Sequence, residues 1–79
     1  MTVYLLIDDS DKAEHDRYES LGPALCDAVI RATGLYDPSD GVKMALIEKH
    51  VDGLVEEWNG RSVKIHGPFG KWRVVGRRA

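Results

Sequence analysis

The segment Thr2–Ile7 constrains this chain more than any other. Val3, Tyr4, Leu5, Leu6 and Ile7 put apolar side chains on both faces of an extended strand. Such a strand needs neighbours along both edges, so it is expected at the centre of a sheet. The same run is the longest apolar stretch in the sequence. It is too short to cross a membrane or to serve as a signal-peptide core, and a cytosolic location is the expectation. With 79 residues in all, the expectation is one domain built around that strand.

Punctuation then divides the chain. Asp8-Asp9-Ser10-Asp11 ends the first strand, because these side chains bond to nearby backbone and favour turns or helix caps. Residues 12–20 have little apolar content and read as a loop or a solvated helical turn. Gly22-Pro23 opens a helix from Pro23 to Thr33, with proline at the first helical position and Gly34 as its left-handed C-terminal cap. Leu25, Val29 and Ala32 form its apolar stripe. A second strong helical pattern runs from about Pro38 or Gly41 to Trp58 through Val42, Leu46, Ile47, Val51, Leu54 and Val55. Those positions, three and four apart, predict that this helix supplies the centre of the core.

The last segment reads as a hairpin. Arg61–His66 and Lys71–Val75 alternate about the turn Gly67-Pro68-Phe69-Gly70. Val63 and Ile65 share one face, and Trp72 and Val74 fall together. The expected fold is α+β: a small three-stranded antiparallel sheet, made of the N-terminal strand and the C-terminal hairpin, with two or three helices on one face.

No catalytic motif stands out, and an enzyme is not expected. Cys26 is the single cysteine and reads as a small buried hydrophobe. His15, His50 and His66 have no partner at zinc spacing, so no metal or other cofactor is expected. There is no phosphate-binding or dinucleotide fingerprint. Asp8-Asp9 after a hydrophobic strand looks like the start of a response-regulator receiver domain. That fold needs more strands and helices than this length allows. A calcium loop fails too, since Ala13 stands where its third oxygen ligand belongs.

Charge divides the chain more sharply than hydropathy does. Residues 1–40 hold nine acids against three bases, and residues 41–79 hold eight bases against four acids. Two binding surfaces follow. One is acidic, with Asp9, Asp11, Glu14, Asp16 and Glu19 as its contact residues, fit to dock in a basic groove. The other is basic: Lys64, Lys71 and Arg73 on the hairpin, with Phe69 at its tip to stack on a base. The bland alternatives are a solvated acidic loop, and charged edge residues that discourage sheet pairing.

In size, acidic front and lack of catalytic residues, the chain resembles the small phage-encoded anti-CRISPR proteins directed against type I systems. The resemblance implies a non-enzymatic inhibitor that binds a surveillance complex, mimics DNA and blocks target recruitment. Its partner is then a basic DNA-binding protein subunit, with no membrane or small-molecule substrate involved. The net charge of -2 argues against tight DNA binding by the isolated chain. The rivals are a small nucleic-acid-binding or transcriptional module using the basic hairpin, and a toxin–antitoxin partner using an exposed helical stripe.

Overall fold

The computed structural model describes all 79 residues. Two hairpins flank a pair of helices: β1 (Thr2–Asp8), β2 (Ala13–Tyr18), α1 (Leu21–Thr33), α2 (Gly41–Glu57), β3 (Ser62–Gly67) and β4 (Gly70–Arg78). The strands form one antiparallel sheet in the order β2-β1-β4-β3. The doubly apolar β1 is therefore an interior strand, with Leu5 and Leu6 both buried.

The sheet has four strands where three were expected. The additional one is β2, in the segment whose sequence suggested a loop or helical turn. Its pattern is hidden for two reasons. As an edge strand it is exposed almost throughout, so burial imposes no alternation. The register also shifts between Leu6 and Ile7, which pair with Asp16 and Glu14 and leave His15 as the extra residue. The β1–β2 loop is tied by its own polar groups. Asp8 Oδ1 accepts from the Ser10 amide at 2.9 Å, and Asp11 Oδ1 accepts from the Ala13 amide at 2.9 Å. Lys12 takes a left-handed φ of 60°, and its amide donates to the Asp8 carbonyl. The aspartates thus close a hairpin and do not cap a helix.

α1 supplies the centre of the core. Ala24, Leu25, Ala28, Val29 and Ala32 are fully buried and pack with Leu6, Val63, Ile65 and Val74 of the sheet. The alanines at four-residue spacing let the helix approach closely. At Gly67 a Cβ would overlap the Ala32 carbonyl, and the Phe69 amide donates to that same carbonyl at 3.0 Å. Gly34 caps α1 at φ 68° as expected. Pro23 lies two residues inside the helix, still within the first turn, where backbone N–H groups have no helical acceptor.

α2 corrects the sequence expectation. It packs chiefly on α1, as an outer layer, and turns Met44, Ile47, Val51 and Leu54 inward, with Trp58 at its C-cap; of these only Ile47 and Leu54 are fully buried. Val42, Leu46 and Val55 are exposed. Apolar residues four apart define a stripe but not which stripe faces inward, and Val42 and Leu46 form a second one. Asp40 caps α2, accepting from the amides of Val42 and Lys43.

Candidate functional site

Strand register assigns each side chain to a face. Leu6, Val63, Ile65, Trp72 and Val74 point toward the helices. The residues between them point the other way, onto a face that no helix covers. Across that open face run the pairs Leu5–Arg17, Leu5–Val75 and Ser62–Val75; Ile7–Glu14, Ile7–Arg73 and Lys64–Arg73; Val3–Arg77; and His66–Lys71. Its middle is aliphatic, made of Val3, Leu5, Ile7 and Val75. Its rim is basic, made of Arg17, Lys64, Lys71, Arg73 and Arg77. Leu5 is only 1% exposed although no helix covers it. Long arginine and lysine stems lying along the strands account for such cover.

Lys64 stands directly opposite Arg73, and His66 directly opposite Lys71. The like charges of Lys64 and Arg73 at opposed positions destabilise the sheet. The nearest relief is Asp9, which receives Lys12 Nζ at 2.8 Å and Arg73 Nη2 at 3.0 Å. The Lys12 hydrogen bond, helped by the charges of Arg73 and Lys64, holds the Asp9 carboxyl below its ordinary range. Arg73 Nε is buried and has no partner. Lys64, Lys71 and Arg77 make no ion pair.

The acidic residues fare differently from one another. Asp9 is engaged as described, and Asp11 is spent on the loop. Glu14 pairs with Arg17 Nε at 2.8 Å on the open face. Asp16 accepts from the Arg17 amide at 2.8 Å. Glu19 follows β2, is exposed and has no ion-pair partner. Lys12 and Arg17 of the same segment, and Arg73 from β4, therefore interrupt the acidic stretch.

The structure separates Phe69 from the basic residues of its hairpin. The ring is 72% exposed but lies over Gly34 at the end of α1, on the helix side of the sheet. Lys64, Lys71 and Arg73 are together on the other side. Arg17 and Arg77 join them, and both were missing from the sequence reading. Arg77 continues the alternation of Lys71, Arg73 and Val75, a signal present in the sequence. Arg17 enters only through the unrecognised β2.

A polar chain on the helix side anchors that edge strand. The Tyr18 hydroxyl donates to Asp27, and Arg31 Nε donates to Asp27 at 3.2 Å. Arg31 also lies over the Trp72 ring, 5.3 Å from its centroid, and His15 meets the same ring edge-on. Burial, then the hydrogen bond to Asp27, pushes the Tyr18 phenol far above its usual value.

Two other places have chemical potential. Asp8, Asp11 and His15 each bring a ligand atom within 4.8 Å of the others, a grouping of the type that holds a metal. Both carboxylates already accept loop amides. Beside α1 and α2 a hollow of about 300 Å³ is lined by Cys26, Ile47, Glu48, Val51 and Asp52. Burial, then Asp27 and Glu48, pushes the Cys26 thiol up, which keeps it protonated and a poor nucleophile.

No protein-family model matches the chain, and no curated protein or solved structure matches it either.

Proposed function

We propose that the chain is a non-enzymatic binding domain that docks the phosphate backbone of a nucleic acid on the open face of its sheet. One observation carries this reading. Lys64 and Arg73, and beside them His66 and Lys71, are set directly opposite one another on an uncovered face whose free cations outnumber its carboxylates. Opposed bases cost stability in the free protein, and a polyanion repays that cost. No Phe, Tyr or Trp shares the face, so recognition is mainly of backbone charge.

The test is fluorescence anisotropy with a labelled DNA duplex and a labelled single strand of random sequence, titrated at several salt concentrations. Saturable binding that weakens with salt, and is weakened with a shallower salt dependence in Lys64→Gln with Lys71→Gln, supports the reading. Absence of binding at low salt overturns it.

The second reading keeps the acidic surface as the contact: an inhibitor of a type I CRISPR surveillance complex. It is favoured by the free Glu19 and by the exposed edge of β2, which carries Glu14 and Asp16. Reversing Asp9, Glu14, Asp16 and Glu19 to lysine then abolishes inhibition in a DNA-binding competition assay while circular dichroism stays unchanged. Full inhibition by the folded variant removes this reading.

A further inference from the structure

The two edges of the sheet are finished differently. Edge strand β2 is bulged at His15, and its outward Arg17 amide is taken by Asp16 Oδ1 at 2.8 Å. Both devices discourage the docking of another strand. β3 has neither. Its register with β4 is unbroken from Ser62 to Gly67. The Gly76 amide donates to the Arg61 carbonyl at 2.7 Å, so every second residue from Arg61 bonds to β4. Ser62, Lys64 and His66 lie between these and turn amide and carbonyl outward. The Asp9 amide donates to the Lys71 carbonyl at 3.0 Å, which gives the same parity, because Lys71 stands opposite His66 and bonds away from β3. The Ser62 amide is satisfied by Asn59 Oδ1 at 3.0 Å. Lys64 and His66 have no such guard, and both are exposed.

The side chains along that edge select what it accepts. Lys64 and His66 share the open-face side of β3, with Arg73 and Lys71 opposite them on β4. Residues 58–79 contain no acid. Asp9, which reaches Arg73 from the β1–β2 loop, is committed to Lys12 and to that arginine. Glu56 and Glu57 lie at the Arg61 end of the strand, away from His66, since Trp58 beside them packs against Gly76, the partner of Arg61. On the helix side of the strand Val63 and Ile65 are apolar and buried.

We propose that the β3 edge takes up an extended acidic peptide of another protein as an added antiparallel strand. Its acidic residues stand opposite Lys64 and His66, and an apolar residue between them stands opposite Ile65. Lys64 and His66 each offer one amide and one carbonyl, and the added strand answers both with its own backbone. Charge excludes the nearer candidates. A second copy of β3 in full overlap sets Lys64 against Lys64 or His66, base against base. β2 of a second copy carries the bulge and the occupied Arg17 amide. An edge lysine turns away basic and apolar strands, whereas a carboxylate opposite it pairs. Phosphate groups have no amide to donate to the Lys64 and His66 carbonyls, so the edge is a separate site from the phosphate-binding face and stands if that reading fails.

The experiment titrates the full chain with three synthetic peptides, followed by nuclear magnetic resonance. The first is acetyl-Thr-Val-Glu-Val-Glu-Val-Thr-amide. The second has the same sequence with both glutamate nitrogens methylated, which keeps the charge and removes the donors to β3. The third carries lysine in place of both glutamates. The expected result is saturable binding of the first peptide. At about tenfold excess over its Kd, hydrogen exchange at the Lys64 and His66 amides slows about tenfold, while the Arg17 amide is unchanged. The methylated peptide binds about tenfold more weakly or worse, through two lost hydrogen bonds. The lysine peptide does not bind. No binding of the first peptide at about 1 mM overturns the proposal. Equal binding by the methylated peptide, or unchanged exchange at Lys64 and His66, also overturns it, because the attraction is then to charge alone. Equal binding by the lysine peptide overturns the choice of an acidic occupant.

Discussion

Replacing Lys64 and Lys71 by glutamine tests the open face through its salt dependence. Five cations ring that face, but Arg17 is paired with Glu14 and Arg73 with Asp9. Lys64, Lys71 and Arg77 are left to neutralise phosphates. Each phosphate neutralised on a duplex contributes about -0.9 to the slope of log K against log salt, so three give about -2.7. Between about 50 and about 200 mM salt, affinity then falls roughly 40-fold. The double variant keeps Arg77 alone, and the expected slope is about -0.9, a loss of only roughly fourfold over the same range. Asp9→Asn works in the other direction. It releases Arg73 and steepens the slope to about -3.6. Anisotropy titrations at four or five salt concentrations measure all three slopes. A wild-type slope near zero refutes the reasoning, as does a slope that the double substitution leaves intact. In the second case the cations that touch DNA lie elsewhere.

The core reading predicts that Leu25→Ala costs about 2–5 kcal/mol, measured by urea denaturation, because Leu25 is fully buried between α1 and the sheet. Leu46→Ala, at an exposed position, changes stability by no more than about 0.5 kcal/mol in dilute solution. Asp9 has a lowered pKa in the fold, so its carboxylate contributes stability that is present above the unfolded value of 3.8 and is lost as pH falls below it, through the folded value. Urea midpoints for wild type and Asp9→Asn therefore differ at pH 7 and converge in acid; a gap that persists in acid is evidence against the ion pairs as its source. EDTA leaves the melting temperature unchanged to within about 1 °C, since the amides on Oδ1 of Asp8 and Asp11 close the loop without an ion. A fall of many degrees assigns a structural metal to Asp8, Asp11 and His15.

Much of the local structure was legible because it depends on neighbours in sequence. The apolar run of β1, the Gly34 cap, the Pro68-Phe69 turn and the alternation of β3 and β4 each follow from local sterics or from a period of two. β2 was not legible. Its pairing comes from backbone hydrogen bonds to β1, which make no demand on side-chain pattern at an exposed edge. Nor could periodicity decide how deep each helix lies. α2 has more large apolar residues than its packing uses, and α1 buries small alanines that carry little hydropathic signal.

The binding surface divides along the same line. From sequence alone came the interior position of β1, the two helices, the final hairpin and the unequal distribution of charge. Which charges share a face required the register of four strands. Asp9 belongs to Arg73, sixty-four positions away, and Arg17 belongs to the face of Lys64 and Arg77. Side chains of one sign gather or cancel through distances of a few ångströms, and those distances are fixed by strand pairing between segments remote in the chain.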